Sequence, residues 1–222
     1  FSIPAGGTLG VVGATGSGKT TLLELIPRVY DATRGDVLID GIPVTELGVS
    51  ALRAAIGFVP QESLLFGETI EANLAYGGTT SDDARWAAGV AQLADTIGEF
   101  PDGYGTLLGE RGINLSGGQK QRAAMARALA RRPGIVILDD ALSSVDTHTE
   151  AAILRGLRDA LSGRTAVIAS HRITAIRDAT HIIVLDEGRI VERGTHDALL
   201  ALRGRYWSLL RRQQLEEAVE AA

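Results

Sequence analysis

The run "GATGSGKTT", Gly13 to Thr21, constrains this chain more than any other stretch. It fits the phosphate-binding-loop pattern, with Gly13, Gly18, Lys19 and Thr20 in the required positions. The apolar run "TLGVVG" precedes it, and a helix-forming segment from Thr20 to Leu25, stopped at Pro27, follows. At such a strand-to-helix junction, backbone N–H groups converge on phosphate oxygens and the helix start adds partial positive charge. Thr15, Gly16, Ser17 and Thr21 complete the expected nucleotide cradle. Lys19 would reach the β and γ phosphates, and Thr20 would ligate Mg²⁺. The competing reading is a glycine-rich turn that merely precedes a helix. Against it, Lys19 and Lys120 are the only lysines in the chain, and arginine supplies every other Lys/Arg position. A compact ammonium has been kept where a point charge suits phosphate.

The rest of the chain supplies a scaffold for such a loop. Apolar strand candidates "TLGVVG", "DVLID", "IGFVP", "IVILD", "TAVIAS" and "HIIVLDEG" alternate with helical segments. Several are apolar on both faces, which predicts an α/β fold with a mostly parallel sheet covered on both sides. One helix is expected from Thr149 to Leu161, with Ile153, Leu154, Leu157 and Leu161 as its apolar stripe. No strand-like run occurs from about Ser81 to Arg131, where Trp86 and Leu93 fall on expected helices. The chain therefore reads as a single domain over 1–222. Residues 1–62 and 132–195 form its α/β core, 63–131 an inserted helical subdomain, and 196–222 short C-terminal helices and a tail that frays. "DEGRIVERG" predicts a β-hairpin. The chain opens at Phe1 in what reads as the middle of a sheet, so the N-terminal strands are expected to be missing and the chain to be an excised domain.

Bulk properties exclude several functions. The 222 residues carry a formal net charge of −5 with basic residues scattered, so there is no electrostatic footprint for nucleic acid or an anionic lipid surface. Cysteine is absent, which removes disulfides, thiolate metal sites and a cysteine nucleophile. No apolar run approaches the roughly 20 residues of a membrane-spanning helix.

"GIVILDDALSSVD", Gly134 to Asp146, ends a buried strand in two carboxylates, Asp139 and Asp140. Side chains alternate along a strand, so the two should point in different directions and serve different purposes. In phosphate-loop proteins the acid ending a second apolar strand holds the Mg²⁺ shell, which suits Asp139. Asp140 would then lie near the γ-phosphate, where water is polarised; a solvated strand end or helix N-cap is the alternative for it.

"NLSGGQKQRAAMARAL", Asn114 to Leu129, opens with Ser116 as an N-cap and two glycines that permit close approach, followed by strong helix formers. This run, with Leu115, Ser116, Gly117, Gly118 and Gln119 intact, resembles the signature motif of ATP-binding cassette (ABC) ATPases. The resemblance covers essentially the whole chain. It implies that Gln61 in "FVPQES" is the Q-loop glutamine, contacting Mg²⁺ or water, and that His171 in "IASHR" is the switch histidine at the γ-phosphate. Asp146 in "SSVD" becomes the D-loop aspartate at a dimer interface. Alone, a histidine such as His171 is more often a satisfied strand-end residue. "LLGERGINLSGGQ", with Glu110, is similar to the segment that exporter-type cassettes place against transmembrane domains.

The family implies ATP and Mg²⁺ sandwiched in a head-to-tail dimer. Each site pairs the phosphate loop of one cassette with the signature of a second nucleotide-binding domain, in a homo- or heterodimer. The transmembrane domains of an exporter are absent from this chain, and the implied location is the cytoplasmic face of the cell (inner) membrane. Two departures qualify the match. The adenine-stacking aromatic lies before the phosphate loop in the family, beyond the start of this chain; Phe1 is a poor substitute and Tyr30 reads as packing. Asp140 stands where most active cassettes have glutamate, and its shorter side chain draws the carboxylate back by more than about 1 Å. A misplacement of that size costs up to about 10²-fold in rate. Asp140 thus resembles the slow site of heterodimeric exporters, the intact signature serving the partner's active site. The alternatives are a fully active homodimeric exporter ATPase, or a soluble ABC ATPase of DNA repair or ribosome work. Too few residues separate Lys19 from Ser116 for the long coiled-coil arm of the repair type, and no nucleic acid is expected as a partner.

Overall fold

A computed structural model describes residues 1–109 and 115–220. The elements begin with β1 (Thr8–Gly13), α1 (Lys19–Leu25), β2 (Leu38–Ile39), β3 (Ile42–Pro43), α2 (Val49–Ala54) and β4 (Ile56–Val59). Then come α3 (Ile70–Leu74), α4 (Ser81–Val90), α5 (Ala94–Gly98), α6 (Gly117–Ala130), β5 (Ile135–Asp139) and α7 (Thr147–Ala160). The chain ends with β6 (Thr165–Ala169), β7 (His181–Asp186), β8 (Arg189–Gly194), α8 (His196–Leu202) and α9 (Arg205–Glu220). Two compact units result, one from residues 1–53 and 165–222 and the other from 54–164.

In the first unit β1 lies between β6 and β7, parallel to both, with Leu9 opposite Val167 on one side and His181 on the other. Val11 and Val12 are buried almost completely, as expected of a strand covered on both faces. The expected hairpin forms: β8 turns back antiparallel on β7, with Ile183 opposite Arg193. "DVLID" departs from expectation. Only Leu38–Ile39 is extended, and it pairs antiparallel with Ile42–Pro43 in a separate two-stranded ribbon. The reason is local, since Asp40 (φ 50°) and Gly41 (φ 80°) are both left-handed, the backbone of a two-residue hairpin turn.

The C-terminal segment is more regular than expected. The 16-residue α9 is held at its start by Glu192, whose carboxylate accepts from the backbone N–H of Arg205 and, at 2.9 Å, from that of Tyr206. Tyr206 is fully buried, its hydroxyl 2.7 Å from His196 Nδ1, and burial pushes its pKa up to about 12.

In the second unit β4 and β5 pair in parallel, Phe58 opposite Ile137. Between them, among the described residues, come four α-helices, a short 3-10 helix (Gly103–Gly105) and no named strand. α6 is the hub of this unit and packs on α3, α4 and β4. Its buried face is Gln121 with Ala123, Ala124, Met125, Ala126, Ala128, Leu129 and Ala130, mostly alanines that let neighbours approach closely. Trp86 sits on α4 as expected, covered by the Arg132 guanidinium 3.3 Å from its ring centre, and Leu93 is the buried residue preceding α5. α7 starts two residues earlier than expected. Ile153 and Leu157 are buried with Glu150 and Ala160, while Leu154 is half-buried and Leu161 is the C-cap.

Candidate nucleotide site

The cradle from Gly13 to Thr21 lies in the first unit, between the end of β1 and the start of α1. Gly16 and Gly18 have φ of 79° and 99°, left-handed geometry that L side chains rarely adopt. Gly13 serves a different need. A Cβ there would stand 2.6 Å from Ser17 Oγ and collide with the carbonyl of Leu185 on β7. Gly18 is the N-cap of α1 and offers no side-chain cap. The first N–H groups of the helix are thereby left for another acceptor. Lys19 is 7 % exposed, and its Nζ donates to the carbonyls of Gly13 at 2.8 Å and Ala14 at 3.1 Å. Ser17 is 4 % exposed, and its buried Oγ has no hydrogen-bond partner among the described residues. A converging cation, uncapped N–H donors and an orphaned hydroxyl fit a polyphosphate. Thr15 and Thr21 are exposed and Thr20 half-buried on the same turn.

One support of the cradle was not legible in the sequence. The Glu187–Gly188 turn of the β7–β8 hairpin, both residues left-handed, donates Gly188 N–H to Ser17 O at 3.1 Å. His171 follows β6, the parallel neighbour of β1, so it emerges at the same strand edge as the cradle. It is exposed, and beside it Ser170 is buried, with Ser170 Oγ accepting from Arg172 N–H at 3.0 Å.

The second unit holds the acids, Gln61 and the signature. Asp139 is the last residue of β5, 2 % exposed, and Asp140 is 6 % exposed. Asp140 lies outside the strand with φ 48°, so simple alternation does not set the direction of its side chain. Aspartate is among the few non-glycine residues enriched in that region. Gln61 is exposed just past β4, at the same C-terminal edge of the β4–β5 pair as the two acids.

Ser116 caps α6 as expected, and Gln119 completes a capping box. Gln119 N–H donates to Ser116 Oγ at 3.3 Å, and Ser116 N–H donates to Gln119 Oε1 at 2.8 Å. Leu115 is buried, while Gly117 is exposed and Gly118 half-buried. A Cβ on Gly118 would sit 2.7 Å from the carbonyl of Ser144. Asp146 is the N-cap of α7, accepting from Thr149 N–H at 2.9 Å. That hydrogen bond, aided by one donated from the Thr149 hydroxyl, holds its carboxyl below the usual carboxylate range. Gln121, which bridges α6 to Ser143 and Ser144, carries no local sequence signal because its partners are 22 and 23 residues away. Glu110 lies outside the described residues.

The model of the family described as "ABC transporter" matches residues 1–143. The chain belongs to the ABC transporter family. It is 49 % identical over 215 residues to an uncharacterized ABC transporter ATP-binding protein of Bacillus subtilis (strain 168), covering 96 % of this chain and 36 % of that protein. Against an ATP-dependent lipid A-core flippase of Syntrophus aciditrophicus (strain SB), identity is 44 % over 221 residues, covering 99 % of this chain and 37 % of the flippase. A solved bacterial Atm1-family ABC exporter with ATP bound superposes with a TM-score of 0.91 at 44 % identity, covering 94 % of this chain and 37 % of that one. The chain thus spans about a third of the length of each of these relatives and corresponds to the nucleotide-binding part of an ABC transporter.

Proposed function

We propose that the chain is the ATPase domain of an ABC exporter, binding ATP with Mg²⁺ and coupling its turnover to substrate movement across a membrane. The observation that carries this reading is the cradle itself, where buried Lys19 is held on the carbonyls of Gly13 and Ala14 beside the unpartnered Ser17 hydroxyl. The Mg²⁺ ligands would be Thr20, Gln61 and Asp139, one hydroxyl, one amide and one carboxylate. The ion characteristically keeps several positions for phosphate and water. Asp140 and His171 would act at the γ-phosphate, and Leu115 to Gln119 with Asp146 would face a partner cassette's nucleotide. Residues 63–131 serve in this reading as the helical subdomain of one cassette spanning 1–222.

Among the described residues no helix is long and apolar enough to cross a membrane. Transmembrane parts would be supplied by other sequence, with this chain on the cytoplasmic face. Exposed Leu64, Phe66, Tyr76 and Leu107, all in the second unit, offer apolar surface for that contact.

Asp140 marks the site as the slow one of a heterodimer. Its left-handed backbone adds a reason for aspartate, because glutamate there would cost on the order of 1 kcal/mol of stability. The test is ATP turnover by the chain alone and mixed with a glutamate-bearing cassette. Lys19→Ala should reduce nucleotide binding 100-fold or more, about 2.7 kcal/mol. Asp140→Glu should raise turnover about tenfold while lowering the melting temperature, and Asp140→Asn should abolish it. A chain whose ATP binding ignores Lys19→Ala is not this ATPase; one whose rate ignores Asp140→Glu is not the slow half.

A further inference from the structure

The start of α6 and the loop that follows β5 are joined by a side chain that the signature motif does not include. Gln121 is 5 % exposed on a helix face otherwise built of alanine, leucine and methionine. A buried amide is costly unless both its ends are paired. Here both are: Nε2 donates to Ser143 Oγ at 2.9 Å, and Oε1 accepts from Ser144 N–H at 2.9 Å. Ser143 N–H in turn donates to the Asp140 carbonyl at 3.1 Å. One turn earlier in the helix, Gly118 lets the Ser144 carbonyl approach to a distance that no Cβ would tolerate. Two residues on, Asp146 caps α7. Every end of the 140–146 loop is therefore tied, and its middle is tied to α6 through Gln121.

We infer that Gln121 is a positioning residue that makes the signature turn, Asp140 and Asp146 one rigid body, so that a nucleotide seated on the signature of this chain is sensed at its own water-polarising acid. This rests on the ATPase reading above. Simple satisfaction of buried polar groups would need the hydrogen bonds but would not link them to turnover, so stability alone cannot separate the two. The separating variants are Gln121→Met, which keeps length and loses both bonds, and Gln121→Glu, whose carboxylate accepts from Ser144 N–H and from the Ser143 hydroxyl.

In the purified chain, Gln121→Met should lower kcat for ATP tenfold or more with KM within twofold of wild type, and Gln121→Glu should restore most of the rate. Amide hydrogen exchange over 143–146 should quicken about tenfold in Gln121→Met and stay slow in Gln121→Glu. Equal kcat, or equal exchange, in Gln121→Met and wild type overturns the inference. If Gln121→Met does not fold, Ser143→Ala removes, from an exposed residue, the hydroxyl to which Gln121 Nε2 donates, and an unchanged kcat there is equally fatal. A wild-type chain that binds ATP but never turns it over, alone or with a partner cassette, would sink the ATPase reading instead, and exchange would still decide the clamp.

Discussion

At the phosphate cradle, Gly16 and Gly18 take left-handed φ of 79° and 99°, and no side chain caps the helix that follows. At the signature, Gly117 and Gly118 lie inside a helix that Ser116 and Gln119 cap in both directions, and neither glycine has positive φ. The two turns look alike as text, since both are glycine-rich and both open a helix. The cradle uses glycine for backbone conformation and leaves its donors open. The signature uses glycine for room and satisfies its own polar groups. In the proposed reading, the turn that would receive an anion within its own chain stays uncapped, and the one that would face a partner cassette's nucleotide is rigidified first.

The contrast is broken most directly at the two crowded glycines. Gly13→Ala places a Cβ against the Leu185 carbonyl between paired strands, and Gly118→Ala places one 2.7 Å from the Ser144 carbonyl. Denaturant unfolding should register about 3 kcal/mol for the first and about 1–3 kcal/mol for the second. A neutral Gly118→Ala would mean that the signature glycine is not there for space. Smaller is the cap. Ser116→Ala should cost about 1 kcal/mol. The cradle offers no matching effect, because Gly18 has no side chain to lose.

The smallest effect separates the units by pH. Tyr206, in the first unit, holds its proton up to about pH 12, whereas an unfolded tyrosine releases it near ~10. The folded state therefore binds more protons between those values, and stability falls as pH rises through that window. Tyr206→Phe should flatten the alkaline loss in melting temperature. In the second unit Asp146 is depressed, so its contribution is present above the unfolded carboxylate pKa and lost as pH falls through the lower folded value.

Much of the fold was legible because its signals are local. The cradle announces itself through glycines at positions where backbone geometry demands them, and the strands of the parallel sheet through continuous apolar runs. The Asp40–Gly41 hairpin could also have been read, since two residues of that type form a known tight turn, but an apolar run beside them suggested a sheet strand instead. Strand alternation predicts that Asp139 and Asp140 diverge, but it does not apply at Asp140. β5 ends at Asp139 and the next residue turns left-handed. Gly188 beneath the cradle, Glu192 at the start of α9 and Gln121 under the loop after β5 were not visible at all. Each acts on a partner brought near only by folding, 171 residues away for Gly188 and Ser17.

By itself, the sequence determined the family, the α/β class, the glycine-rich turn between β1 and α1 and the capped start of α6. These depend on short-range geometry: which residues permit a left-handed backbone, which cap a helix, and which alternate with the period of a strand. Tertiary structure decided how those parts are held. It set the left-handed turn at Asp140, the room that Gly13 and Gly118 provide for a passing carbonyl, and the amide bridge from Gln121 to Ser143 and Ser144. Close approach between segments distant in the chain is a property of packing, and no local pattern encodes which backbone atom will arrive beside a given glycine or amide.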